Sequence, residues 1–579
     1  MSDLTGSLRA ARFFLVLAAL CAGPAWGQAP QPEPDSQFMP RPAVAGKRYM
    51  AVTANPHATD AAIEILALGG NALDAAIAAQ WVLNLVEPQS SGLGGGGFLL
   101  HWDAVRARVT AWDGREVAPR ATRADFARRA DGSLASFAEM VASGKSVGVP
   151  GLLAMLDEAH RRHGKLQWQR LLAPAVRLAE NGFAVSPRLN LLLRQDAYLR
   201  NDAAARALYY QASGEPLRVG DILRNPELAA MLRRIATEGS AAMHGGATAE
   251  RIVAAASRRG GGMTLADLHG YRPQRREAAC GSFRRWRICG MPPPSSGGIG
   301  VLQLLGILER SGLPAGDPER IDAVHYFAEA GRLVYADRAR YLGDPDFVSV
   351  PQRQLLANPY LEQRSRLVGP AKAMGTASPG DLPAHRAQAD GDAPELPATS
   401  HLSIIDGEGN AVALTSSIEA GFGSRIQVDG FLLNNQLTDF SFTSEREGRP
   451  VANRAEPGKR PMSSMSPTLV FDAAGRLHAV LGSPGGSRII NYVARTLLAL
   501  LDGGMEPAAA LAIGHVGNRN GATEVERGQI SDALVRELEM RGHAIQRTEM
   551  TSGLHLIVRR DGRWVGAVDP RREGSARGD

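Results

Sequence analysis

The stretch Thr399-Ser400-His401-Leu402-Ser403-Ile404-Ile405-Asp406 constrains this chain more than any other, because the character of the sequence changes there. Before it, Thr376 to Ala398 carries four prolines among small and acidic residues, a composition that favours an exposed segment over a packed element. After it, Ser403 to Asp406, a turn at Gly407-Glu408-Gly409, and Ala411 to Ile418 read as two β-branched strands with a tight connection. A threonine between a dispensable linker and a buried hairpin is placed to become a chain terminus. Its hydroxyl would attack the Ala398 carbonyl, move the acyl group from nitrogen to oxygen, and leave an ester for water to hydrolyse. The freed α-amino group, with an unperturbed pKa of about 8, then takes the proton from the same residue's hydroxyl. One residue supplies nucleophile and base. An ordinary linker threonine is the rival reading, and the surroundings decide between them.

With 579 residues, 44% apolar and 21% charged, the chain is globular, with room for one large domain or a few smaller ones. The net charge of +6 comes from 65 basic and 59 acidic residues spread without a lysine-rich tract, which argues against a nucleic-acid partner. Residues 1–27 read as a signal peptide: Arg9 and Arg12 precede the apolar run Phe13 to Ala22, and Ala25-Trp26-Gly27 offers small residues for cleavage before Gln28. The run is short for a bilayer span, so export to a periplasm or the medium without a stable membrane anchor is expected. Cys280 and Cys289 flank a hairpin whose tip is Arg284-Arg285, a register that sets them opposite each other. A cross-strand disulfide and two separately buried thiols both fit, while the spacing does not suit a metal site.

Along the chain, helices are expected from Ala58 to Leu68, from Ala72 to Leu85 behind the cap Asn71, and through most of residues 120–270. The glycine run at 92–97 lacks a following Gly-Lys-Ser/Thr, so it reads as close backbone packing and not as a phosphate loop. Arg115, in Asp113-Gly114-Arg115-Glu116, is by default a solvated arginine whose value rises if an anion is needed nearby. Ser295 and Ser296 read as caps of a helix that runs to Arg310, and a second helix covers Ile321 to Tyr341. Phe431 to Phe440 reads as a strand ending in polar groups, and residues 441–458 as a polar loop. Gly482-Ser483-Pro484-Gly485-Gly486, between a strand and the helix Ile489 to Leu501, exposes backbone N–H groups suited to an oxyanion.

Taken in order, these motifs resemble the γ-glutamyltransferases, or glutathione hydrolases, of the N-terminal nucleophile hydrolase superfamily. The resemblance runs from about Ala51 to Ala576 and rests on the glycine run, Arg115-Glu116, Met291 to Gly298, Thr399 to Ser403, Asn434-Asn435-Gln436 with Asp439, Lys459 to Pro467, Gly482 to Arg488, and Asp569-Pro570-Arg571. It implies an α+β fold, a four-layer αββα sandwich, forming one structural domain over residues 28–579. The precursor would be cut between Ala398 and Thr399 into a large subunit, 28–398, and a small subunit, 399–579. Thr399 matches the catalytic threonine, Ser417 a hydroxyl that positions it, and Gly485 and Gly486 the oxyanion donors. Arg115, Ser463 and Ser464 match the groups that hold the substrate α-carboxylate. Gln436 and Asp439 match those that hold its α-ammonium, with Glu419 where several members have asparagine. The 441–458 loop lacks the family's lid tyrosine, and Ile513 to Gly521 departs from its usual proline-arginine stretch.

The implied reaction is transfer of the γ-glutamyl group of glutathione or related compounds to water, an amino acid or a peptide, with no metal or organic cofactor. The chemistry agrees: a γ-glutamyl group ends in a zwitterion, which needs a cation with hydroxyls on one side and an anion with an amide oxygen on the other. Two alternatives stand beside it. One is an acylase on the same fold acting on glutaryl or β-lactam-type amides; the other is an uncleaved, non-enzymatic secreted protein.

Overall fold

The computed structural model describes residues 38–385, 388–391, 395 and 398–579. The signal-peptide reading of residues 1–27 therefore lies outside the described residues. The chain is continuous through Ala398 and Thr399, which belong to one strand, Ala398–Ile405.

Two seven-stranded sheets form the centre. In one, the strands run Val44–Gly46, Arg563–Val568, His555–Arg560, Leu477–Gly482, Thr468–Phe471, Trp286–Gly290, Ala279–Phe283. In the other they run Ser575–Gly578, Met50–Thr53, Ala398–Ile405, Ala411–Glu419, Gly96–Asp103, Arg108–Asp113, Gln274–Arg276. Neighbouring strands are antiparallel throughout both.

Both faces of each sheet are covered, and strand alternation assigns side chains to two cores. Ala51, Leu99, Leu402, Ile404, Val412 and Leu414 pack under the helices Pro56–Ala67, Ala72–Val86, Leu152–His163 and Trp168–Asn181. The alternate positions Met50, Val52, Phe98, Leu100, Ile405 and Ala413 meet Leu469, Val480, Leu481 and Ile557 of the facing sheet. The helices Gly297–Arg310, Ile321–Tyr341 and Ile489–Leu501 complete that core. The result is the four-layer αββα sandwich. Parity along Ala398–Ile405 sends His401 and Ser403 into the space between the sheets, where Ser403 donates to the His555 carbonyl and His401 stacks on His555. Thr399 shares that parity.

Four expectations need correction. Phe431–Leu432 is only a two-residue strand; Gln436–Asp439 is a 3-10 turn, because the Asn434 side chain donates to the carbonyls of Gly94 and Gly148 and pulls the chain out of extension. The segment before Thr399 is not uniformly exposed: Ala377, His385 and Ala389 are buried, and Ala389 bridges to Val451. Of the two expected caps only Ser295 acts as one, accepting from the Gly297 N–H at the helix start; Ser296 does not cap, and the two hydroxyls donate to the carbonyls of Met465 and Ser463 and stitch two loops together. Arg115 is buried, with 1% of its surface exposed. Cys280 and Cys289 face each other across their hairpin and form a disulfide.

Candidate active site

Thr399 is buried at the start of its strand, opposite Ser417, with a β-bulge between Ala398 and Thr399. The Thr399 hydroxyl donates to Ser417 Oγ at 3.3 Å, and Ser417 Oγ donates to the Ala398 carbonyl at 2.7 Å. The Glu419 N–H donates to the same Ser417 oxygen at 2.9 Å and fixes its rotamer. A relay thus leads from the Thr399 hydroxyl through Ser417 to the Ala398 carbonyl, the one that it would attack in self-cleavage. As the C–O bond forms, Ser417 can pass its proton to the new oxyanion and take the one leaving Thr399. On the other side, Arg572 Nη1 donates to the Thr399 carbonyl at 3.2 Å.

The glycine run makes this approach possible. A β-carbon on Gly94 would lie 2.1 Å from the Leu432 carbonyl oxygen, and one on Gly95 would lie 2.2 Å from that of Ser417. Both distances are far inside van der Waals contact, so the backbone behind Ser417 admits hydrogen only.

A second cluster is built on Arg115. Its backbone is pinned by Asp113 Oδ1 and Tyr271, and its guanidinium donates to the carbonyls of Pro461 and Met462 and to Asp439 Oδ2, the last at 2.5 Å. Gln436 Nε2 donates to the same Asp439 oxygen at 2.7 Å. Residues three apart eclipse in a 3-10 turn, which is why Gln436 and Asp439 point the same way. Burial pushes the Asp439 carboxyl up, against the pull of Arg115. Burial also pushes Glu116 up to about 8, with Arg115 Nη1 its nearest cation at 3.8 Å. Four acceptor atoms around Arg115, both oxygens of Glu116, Oε1 of Gln436 and Oδ1 of Asp439, take no hydrogen bond from any described residue. Buried acceptors of this kind call for a donor.

The carbonyls that Arg115 holds lead directly into Ser463 and Ser464. Ser463 Oγ accepts from the Met465 N–H, and Ser464 Oγ accepts from Arg338 Nη2 at 3.0 Å. The same Arg338 also pairs with Glu395, four residues before Thr399. Glu419, at φ +79° on the strand end, takes a hydrogen bond from the Asn435 side chain and so lies one residue from Gln436. Gly485 and Gly486 have φ of +140° and +56°, values that favour glycine, and lead the turn into Ile489–Leu501. The turn and Thr399 share neighbours: Gly482 lies against the ring of His401, on the Thr399 strand, and Pro484 closes on Gly553 together with Arg572, the donor to the Thr399 carbonyl. Among the described residues no group of three or more His, Cys, Asp or Glu side chains could hold a metal ion. No described helix is long and apolar enough to cross a membrane.

The γ-glutamyltranspeptidase family pattern matches residues 58–578. The chain belongs to that family.

Among γ-glutamyltranspeptidase relatives, the glutathione hydrolase proenzyme of Escherichia coli (strain K12) is 36% identical, over 91% of each chain. The acylase ACY 1 proenzyme of Pseudomonas sp. (strain V22) is 34% identical over 92% of this chain and 93% of its own. The crystal structure of a cephalosporin acylase from Bacillus halodurans superposes with a TM-score of 0.81 at 28% identity, covering 93% of this chain and 97% of that one. The αββα fold is thereby established for this γ-glutamyltranspeptidase family member, and hydrolase or transferase chemistry with it. Sequence reasoning left Glu116, Arg338 and Arg572 without roles. Glu116 stood beside Arg115 in plain view; Arg338 and Arg572 carried no local signal, since each acts on a segment more than a hundred residues away.

Proposed function

We propose that this protein is a γ-glutamyltransferase and glutathione hydrolase that first cuts its own Ala398–Thr399 bond. The cut would divide it into a large subunit, 28–398, and a small subunit, 399–579, after export from the cytoplasm. The Thr399 amine then takes the hydroxyl proton, and Oγ1 attacks the γ-carbonyl carbon of the donor. The N–H groups of Gly485 and Gly486 hold the oxyanion. As it collapses, the C–N bond breaks, the amine leaves with the proton from the Thr399 ammonium, and a γ-glutamyl ester remains on Oγ1. Water, an amino acid or a peptide then attacks that ester with the same base.

The observation that carries the substrate assignment is the Arg115 cluster. An α-carboxylate suits Arg115 with Ser463 and Ser464, and an α-ammonium suits the unpartnered oxygens of Gln436, Asp439 and Glu116, with Glu419 adding negative charge. Binding the zwitterion exchanges the single Arg115–Asp439 pair for two charge-assisted contacts and anchors the γ-carbonyl at Thr399. The acylase relatives give the competing reading its weight. A glutaryl group carries the carboxylate but no ammonium, so it leaves the acceptor oxygens without a donor, a cost of about 1–3 kcal/mol for each such group. The two readings separate when γ-glutamyl and glutaryl p-nitroanilides are compared on purified protein, with a denaturing gel in parallel. We expect two bands and a kcat/KM at least about tenfold higher for the γ-glutamyl compound. A preference for glutaryl would overturn the substrate assignment, and a single, fully active band the self-cleavage.

A further inference from the structure

Five arginines from four separate parts of the chain meet in a groove of about 990 Å³. Arg108 opens the strand Arg108–Asp113, Arg275 and Arg276 belong to Gln274–Arg276, Arg287 to Trp286–Gly290, and Arg353 to the short helix Gln352–Leu355. Among the described residues Glu277 is the single acidic one on the lining. Arg276 is neutralised by Asp113 and Asp346. Arg108, Arg275 and Arg353 have no ion pair or side-chain hydrogen bond with any described residue. Arg287 reaches only the Cys280 sulfur and the face of Phe471. Like charges held together repel, and an anion bound among them relieves the repulsion. Arginine forks match carboxylate geometry in particular.

The walls of the groove add a second requirement. Gln274–Arg276 is the last strand of one central sheet, and Ala279–Phe283 is the last strand of the other. Both edges therefore flank the same cleft, joined by Glu277-Ala278. An edge strand offers backbone N–H and C=O groups that an extended polypeptide can pair with. A phosphate polymer or a lipid phosphate satisfies the arginines and can accept from edge N–H groups, but it has no donors in register for the edge carbonyls. The disulfide Cys280–Cys289 ties the second edge to its neighbour and keeps that wall in register. We propose that this groove binds an extended acidic polypeptide, whose main chain joins one of the two sheet edges and whose carboxylates are received by Arg108, Arg275, Arg287 and Arg353.

The test is fluorescence anisotropy of a fluorescein-labelled, α-linked hexaglutamate with the full chain. Because its linkages are α, this probe is independent of any γ-glutamyl activity. We expect saturable binding that weakens with salt and falls at least about tenfold in the double variant Arg275→Ser/Arg353→Ser, whose melting temperature stays that of the parent. A hexaglutamate with every backbone amide N-methylated should lose most of its affinity, since it has no N–H left to donate to a strand edge. Full binding of the N-methylated peptide would overturn the edge pairing. Binding of hexametaphosphate without hexaglutamate would make the groove a phosphate site and overturn the peptide. Binding of neither would leave the arginines as guards that keep two open edges from pairing with other chains.

Discussion

Ser417 touches both partners of the proposed bond-breaking event, the Thr399 hydroxyl and the Ala398 carbonyl. Ser417→Ala removes the proton donated to the Ala398 oxygen, and loss of one such donor slows acyl transfer by about a hundredfold. A time course on a denaturing gel should show that lag in self-cleavage, whereas Thr399→Ala should remain one chain indefinitely and turn nothing over. Glu116 makes a different, pH-dependent contribution. Its pKa in the folded protein, about 8, lies above its ordinary value of 4.5, so the folded state holds the proton more tightly than the unfolded chain. The carboxyl is harmless below about pH 4.5 and increasingly destabilising as pH rises toward 8, on the order of a few kcal/mol at the top of that range. Glu116→Gln should therefore melt increasingly above the parent as pH climbs through that window, with little difference at pH 4. Arg115→Ala should raise KM for a γ-glutamyl donor far more than it lowers kcat, since the contact that it removes, worth a few kcal/mol, lies remote from the scissile bond.

At the level of elements, much of the fold was legible. Ile321–Tyr341 and Ile489–Leu501 have the bounds that periodicity gives, and the hairpin after Thr399 pairs as its alternation requires. What local pattern missed is where side chains overrule backbone preference. Nothing in Leu433 to Asp439 announces a 3-10 turn, because the bonds that bend it run to Gly94 and Gly148, hundreds of residues earlier. That unread turn is what aims Gln436 and Asp439 together. The proposed site residues were named by resemblance, and the oxygens without a donor around Arg115 appear only when the three segments meet. The glycine run offers a test at this scale. Gly95→Ala places a methyl against the Ser417 carbonyl, so it should displace the Ser417 strand and slow self-cleavage well before it unfolds the protein, as followed by gel and circular dichroism.

Over the whole molecule, the proposed cut falls between sequences that are interleaved in space. Both sheets mix strands from before residue 398 with strands from after residue 399, and Met50–Thr53 is hydrogen-bonded on one side to Ala398–Ile405 and on the other to Ser575–Gly578. The two products should co-purify without any covalent link between them, and each expressed alone should fail to fold, because separation would tear both sheets and split both cores. Charge behaves likewise at this scale. The arginines of the groove are scattered along the sequence, with no basic run to betray them, and only the meeting of two sheet edges brings them together.

The guanidinium that steadies the Thr399 carbonyl belongs to Arg572, and nearby in sequence the Asp579 carboxylate receives the backbone amides of Lys47, Arg48 and Tyr49. The surroundings of Thr399 are thus completed by a side chain 173 residues further along the chain. The contact waits until Arg572 has been made and its segment has folded, so the proposed cut at Thr399 is coupled to assembly of the sheets around it.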